Sequence, residues 1–544
     1  MMFITGVLVS LALLAAYAIY VKKSPYSHIP GPKGNPFFGH IFQLRFEELI
    51  RDLENWAWEY GPVFHLRLFT KSCLVISDVQ MCHDILKARP DGFSRGAGLA
   101  KVAKDFNADG IFTHEGDEWR HSRYWIATAF SPTKVREFKK CVWYHSKKLQ
   151  GKLSDIADQQ KVLLDQQYVD SAASTTSKFP IKYQYHGHDL TDTIMKEIQS
   201  TILSIVCDVS FSWGDADFLS ADVLERSKIF LARIFERAFS TFPIWKLYKS
   251  EKDRIAESMK EEFDHRIQTL IETRYKTQTK DNRESQTLLD TLMKSTLEVD
   301  GEADDLSEKR RRIHRLTHSQ MKANLLIVVM AGYETTATVM SWILYELAKC
   351  PRYQERIRAE VKQAFGDINQ FDIDHDPDTI EKILNSSASQ IPFVHSFIQE
   401  TLRLHSVAPL SHLSAIKDQE IQGVKIKKGT DIFMLSRVAT LRSWPTSAPL
   451  KFNPEQWLGE NGETEGEIKT MNQLGLTFGF GPRVCPGRHL AETELIVLTA
   501  MISSNFKLSL IDTLPADEPV MEKVLFTAYP GNLHIRIEQY EDST

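Results

Sequence analysis

Cys485 lies between Val484 and Pro486 in the stretch 478–487, FGFGPRVCPG, which also holds glycines at 479, 481 and 487. So little side-chain bulk lets the backbone bend sharply and approach something flat. Leu490, Ala491, Leu495, Ile496, Leu498 and Thr499 then recur at roughly helical spacing, which puts Cys485 just before a helix N-terminus. There the unsatisfied backbone N–H groups and the positive end of the helix dipole favour a thiolate over a thiol. A thiolate so placed can ligate a metal. The other cysteines, at 73, 82, 141, 207 and 350, are far apart and form no CxxC pair. Iron–sulfur clusters and structural zinc want several clustered cysteines. A lone thiolate in a glycine-lined bend is what a haem iron with a cysteine axial ligand needs.

Three other groupings carry chemistry. The apolar helical pattern 324–348 is interrupted by Ala331-Gly332-Tyr333-Glu334-Thr335-Thr336. Glycine and threonine weaken a helix, and a carboxylate in a buried one needs a reason. The plain alternative is a helix-packing notch in which a threonine bonds back to its own carbonyls. Glu400 and Arg403 share one side of a helix, a spacing that elsewhere gives solvated ion pairs of little energetic worth. Trp119 and Arg123, one helical turn apart behind the acidic start Asp117-Glu118, can converge on an anion such as a carboxylate. An arginine stacked on tryptophan at the surface has the same spacing.

The elements that must position these groups follow from patterning. The chain has 544 residues, 42% hydrophobic and 25% charged, which is ordinary for a globular protein. Its net charge of −5, without a basic tail or zinc-finger spacing, gives no footprint for nucleic acid. Residues 3–21 are uncharged and apolar, about the length of a bilayer span, and are followed by Lys22 and Lys23. Positive charge on the cytosolic side predicts a single-pass anchor with the body in the cytosol, preferred over a cleaved signal because no basic residue precedes the run. A basic, proline-rich neck at 22–40, with Pro30-Gly31-Pro32, then separates anchor from body. Short apolar runs between 42 and 87 predict a small sheet with flanking helices, and helical patterns dominate 117–365. Strand-like runs return at 420–426, 431–435 and 533–537. The fold class is mainly α with small peripheral β-sheets, as one catalytic body over 41–544.

Together these features resemble the cytochrome P-450 family of haem-thiolate monooxygenases, of the membrane-anchored microsomal type. The resemblance runs from the anchor and the neck to the last strands. The family's pattern F-x-x-G-x-R-x-C-x-G is met at Phe478, Gly481, Arg483, Cys485 and Gly487. It implies that Cys485 is the axial thiolate of a haem b, with Phe478 beside the sulfur and Arg483, Trp119 and Arg123 on the propionates. Ala331 and Gly332 open the distal helix to dioxygen, and Glu334 and Thr335 deliver protons to it. Glu400 and Arg403 form a buried support pair.

Several positions depart from the family. The support pair usually gains an arginine from a Pro-Glu-Arg-Phe/Trp sequence, and Gln456 stands there in Pro454-Glu455-Gln456-Trp457. A propionate arginine shortly after the Glu–Arg helix is replaced at its position by Leu413, leaving His412 or Lys417 as substitutes. Some terminal hydroxylases carry a glutamate bonded to haem where Ala331 stands, so the haem here is expected to be non-covalent. The stretch 110–119 looks like members that hydroxylate fatty acids and alkanes, and aromatic residues between 211 and 248, among them Phe230, Phe235 and Phe239, predict a hydrophobic ligand. Sterol, terpenoid and xenobiotic hydroxylation remain as alternatives. A hydroperoxide isomerase or dehydratase, or a haem carrier without turnover, fits Glu334-Thr335 less well. The resemblance also implies a separate NADPH-dependent flavin reductase, with cytochrome b5 as a further donor. The docking face would be basic, near Arg136, Lys139 and Lys140. The implied location is the endoplasmic reticulum membrane.

Overall fold

A computed structural model describes residues 11, 12, 14, 25–35, 37–45, 48–69, 71–173, 184, 185, 188–212, 221–240, 243–278, 287–296, 315–371, 382, 383, 389–459, 474–511, 522–524, 527–531 and 533–541. The expected anchor at 3–21 therefore lies, apart from Leu11, Ala12 and Leu14, outside the described residues. Helices dominate, with one five-stranded sheet and several two-stranded ones. The chain divides into two compact units, each woven from separate segments.

The first unit comprises Met1–Lys101, Ala408–Lys451 and Lys469–Cys485. Its core is the five-stranded sheet, in the order Val63–Leu68, Lys71–Ile76, Asp431–Leu435, Leu410–Ala415 and Phe93–Arg95. The sheet is mixed: Lys71–Ile76 runs parallel to Asp431–Leu435, while every other pairing is antiparallel. The Val79–Ala88 helix buries Met81, Cys82, Ile85 and Leu86 in the adjoining core, with Asp78 capping its N-terminus. The 420–426 run is a hairpin, Gln419–Ile421 with Val424–Ile426, turned by Gln422 and Gly423 at positive φ. The described residues of the proline-rich stretch 22–40 are non-helical and pack within this unit. Pro30 O accepts from His65 N at 2.8 Å, and a Cβ on Gly31 would run into the His65 carbonyl. Tyr26 is buried, its hydroxyl bonded to Thr430 Oγ1 at 2.7 Å.

The second unit comprises Val102–Val407, Phe452–Ile468 and Pro486–Thr544. Its axis is the His318–Lys349 helix, which begins six residues before the apolar pattern because Thr317 and Gln320 form a capping box. The helix is long and apolar enough to cross a membrane, yet most of it is buried within the unit, as a core helix would be. Leu190–Phe211, Arg488–Asn505 and the strand Ala528–Pro530 pack around it. A Cβ on Gly332 would lie 3.1 Å from both γ-carbons of Val206 on Leu190–Phe211, so glycine lets the two helices approach.

Glu400 and Arg403 on the Pro392–Leu404 helix are both buried, and the guanidinium grips the carboxylate twice, at 2.7 Å each. Gln456 fills the family arginine's place as a neutral donor, its amide 2.7 Å from Glu400 Oε2. Trp457 Nε1 and Asn453 N add bonds of 3.0 and 2.7 Å. Five N–H groups thus solvate the carboxylate in place of water, and a second cation is unnecessary. Arg403→Ala should cost about 3–5 kcal/mol by chemical denaturation, and Gln456→Ala about 1.5–3 kcal/mol. Equal losses would mean that the guanidinium contributes no more than the amide.

Candidate active site

In the first unit, the 478–487 stretch is a backbone-built turn. Gly479 and Gly481 sit at φ +74° and +69°, a region costly for other residues. Gly479 N bonds Leu476 O at 2.9 Å, Gly481–Arg483 is a 3₁₀ turn, and Cys485 N bonds Phe478 O at 2.8 Å. A Cβ at Gly481 would lie 2.9 Å from Leu86 O, so the turn rests directly on the Val79–Ala88 helix. The Phe480 ring lies tilted against His83, with centroids 4.3 Å apart, and packs against the core. Cys485 alone among the cysteines is exposed; the others are buried or half-buried. Arg483 is half-buried in the same turn. The helix Arg488–Asn505 starts three residues beyond Cys485.

Leu413 is fully buried in the sheet core, and neighbouring residues of a strand face opposite ways. His412 therefore stands on the other face, stacked on Phe433 at 5.0 Å and 3.5 Å from Asp431.

In the second unit, the His318–Lys349 helix carries a partly exposed stripe on an otherwise buried surface: Ile327, Val328, Ala331, Gly332 and Thr335. The spacing 327, 331, 335 and 328, 332 places them on one face, so this face borders open space. Thr335 Oγ1 donates to Ala331 O at 2.8 Å, the back-bonding expected of a mid-helix threonine. Glu334 is buried and turned elsewhere. Its Oε1 accepts from Thr527 Oγ1 at 3.2 Å, and its Oε2 has no hydrogen-bond partner among the described residues. Burial raises its pKa, against the opposing pull of Lys228 and the Thr527 hydroxyl. Thr527 also bonds Thr338 Oγ1 at 2.9 Å, giving a short hydroxyl chain. The structure thus sends Glu334 and Thr335, adjacent in sequence, to different partners.

Trp119 is buried and Arg123 half-buried, one turn apart on Gly116–Ala129. Between them Ser122 accepts from Asn324 Nδ2 at 3.0 Å and pairs with His114 Nδ1 at 3.0 Å, while Asn324 Oδ1 receives Ile111 N at 2.7 Å. This network ties the 110–114 segment to the central helix. Sequence reasoning passed over Asn324, although a lone amide inside an apolar helix is a signal. It also passed over Glu494, which the recurrence 490, 491, 495, 498 puts on the buried side of its helix. Phe230 is core, packed between Phe106 and Phe263 at 5.4 and 5.5 Å. Phe235 is half-buried beside Phe112 at 6.5 Å. The Phe239 side chain lies outside the described residues.

Comparison with known proteins agrees with this architecture. The family described as Cytochrome P450 matches residues 29–535. A Caenorhabditis elegans protein named Putative cytochrome P450 CYP13A3 is 24% identical, covering 97% of this chain and 99% of its own. Cytochrome P450 83A1 of Arabidopsis thaliana is 24% identical over 97% of both, and mouse Cytochrome P450 2B19 is 23% identical over 93% of both. The chain belongs to the cytochrome P450 family. It is a cytochrome P450 monooxygenase, a class that works with a haem-thiolate cofactor. The residues present fit such a group: an exposed thiol on a rigid glycine turn, outside the one Cys/His/Asp cluster with metal-ligand spacing among the described residues.

Glu494, on the helix that follows the cysteine turn, is buried, with Oε1 lacking a partner among the described residues and a Thr336 hydroxyl bond as partial relief. Burial pushes its pKa from 4.5 up to about 8. A raised carboxyl pKa means the folded state holds the extra proton, so this contribution to stability is complete below pH 4.5 and is lost as pH rises through about 8. Denaturation midpoints should therefore fall between pH 5 and 8.5, and Glu494→Gln should flatten that slope. An unchanged slope would place the carboxyl in its ionised form when folded.

Proposed function

We propose that this monooxygenase inserts one oxygen atom of dioxygen into an apolar small molecule, with Cys485 as the thiolate ligand of a non-covalent haem b. The observation that carries the reading is the single exposed thiol on a turn whose backbone is fixed by two left-handed glycines. The haem, when bound, supplies thiolate-assisted dioxygen activation.

The chain's own residues bind, exclude water and move protons. Phe478, whose carbonyl holds the Cys485 N–H, would pack beside the sulfur. Arg483, Trp119 and Arg123 offer N–H donors to the porphyrin carboxylates. Ala331 and Gly332 keep the exposed stripe free of bulk, and Thr335 offers a hydroxyl on the same face. Burial raises the Glu334 pKa, and a rotation away from Thr527 would bring its carboxyl toward Thr335 for proton transfer.

Substrate selection is assigned to the apolar stripe and to Phe112 and Phe235, which favour long hydrocarbon chains such as fatty acids or alkanes. Sterols, terpenoids and xenobiotics are the alternative class. Electrons come from a separate NADPH-dependent flavin reductase, with cytochrome b5 as a second donor, docking near Arg136, Lys139 and Lys140. Arg136 and Lys140 are exposed on Pro132–Ala173 and Lys139 is half-buried. The apolar stretch 3–21 with Lys22 and Lys23 is assigned as a single-pass anchor in the endoplasmic reticulum membrane.

Two substitutions test the chemistry. Cys485→Ser should abolish the red-shifted Soret band of the reduced, carbon-monoxide-bound protein, and a normal band in the variant would remove Cys485 as ligand. Thr335→Ala should consume reductant and release peroxide in place of product, measured as the ratio of product to NADPH. An unaltered ratio would take the hydroxyl out of proton delivery.

A further inference from the structure

Away from the cysteine turn, three ligand-bearing side chains of the second unit converge without serving any role assigned above. Cys141 and His145 stand one turn apart on Pro132–Ala173, and Asp208 faces them from the last turn of Leu190–Phe211. His145 is buried, while Cys141 and Asp208 are half-buried. Asp208 Oδ2 lies 2.6 Å from His145 Nε2 and 3.7 Å from Cys141 Sγ, so one oxygen is the meeting point of all three. The ligand atoms all fall within 4.8 Å of one another.

The donor atoms of this cluster suit a cation: one carboxylate oxygen of Asp208 faces both a thiol and an imidazole nitrogen. Asp208 also sits at a helix C-terminus, the negative end of the dipole. Thiolate, imidazole and carboxylate form a mixed soft and borderline donor set of the kind that holds zinc.

We propose that Cys141, His145 and Asp208 bind a divalent zinc-class ion that clasps Pro132–Ala173 to Leu190–Phe211, with water as the fourth ligand. A tetrahedral zinc separates its ligand atoms by about 3.3–3.6 Å. The Cys141–Asp208 distance already suits that geometry, and the His145–Asp208 bond must open by roughly 0.7 Å. Zn²⁺ takes the place of the thiol proton, which leaves to solvent, and His145 presents an unprotonated Nε2 with its ring proton on Nδ1. Metal bonds to S, N and O replace the present hydrogen bonds, with no change of oxidation state. Because Val206, two residues before Asp208, seats against Gly332, the clasp would stiffen the helix that packs on the central one.

The test uses the full-length haem-loaded protein in detergent. After chelation, addition of zinc chloride and desalting, elemental analysis should find zinc equimolar with protein. Cys141→Ser and Asp208→Asn should retain at least about tenfold less, while the carbon-monoxide Soret band shows the haem pocket intact. Cobalt(II) chloride added to the chelated protein should give a thiolate-to-cobalt charge-transfer band in the difference spectrum, absent in Cys141→Ser. Zinc retained equally by the variants, or a wild type without the cobalt band, would overturn the proposal. If Asp208→Asn fails to fold, the cobalt spectra of wild type and Cys141→Ser decide the matter alone.

Discussion

A helix of 32 residues buried on most of its surface can carry polar side chains only if each finds a partner inside the protein. That constraint organises the second unit. Asn324 holds the 110–114 segment and Ser122. Glu334 and Thr338 meet at the Thr527 hydroxyl. Trp342 donates to Ala528 O at 2.9 Å, and Glu346 pairs with His405 at 2.7 Å. These polar side chains act as fasteners that fix neighbouring segments in register, and satisfied buried bonds of this kind define a unique arrangement. Packing loosens along the half-buried stripe of Ile327, Val328, Ala331 and Thr335, with Gly332 meeting Val206 at its edge.

The first unit solves a different problem with different means. Its cysteine turn is held by backbone bonds, by glycines in the left-handed region and by contact with the Val79–Ala88 helix. The thiol that this turn carries is exposed. The buried carboxylate of Glu400 follows a third strategy, surrounding one charge with an arginine and three neutral donors. Gln456 supplies one of these bonds without adding a second cation.

Much of this was legible before any coordinates. The helical class, the strands near 431–435 and the helix after Cys485 follow from periodicity, and the cysteine turn follows from its glycines. Other features were not. The packing role of Gly332 depends on Val206, more than a hundred residues away, and no local pattern announces it. Glu334 and Thr335 read as a pair in sequence, but a helix rotates successive side chains by about 100°, so they address different neighbours.

The sequence by itself determined the chemistry at hand: one thiol in a glycine bend, an acid and an alcohol in an apolar helix, and a tryptophan and arginine a turn apart. Residue type and short-range spacing suffice for that, because backbone bending and helical repeat are local properties. Tertiary structure alone decided which thiol is exposed, which face of the central helix stays unpacked, and which hydroxyl meets Glu334. It also decided that Cys141, His145 and Asp208 converge. Those outcomes depend on side chains brought together by burial from distant parts of the chain, and one-dimensional spacing holds no record of that distance.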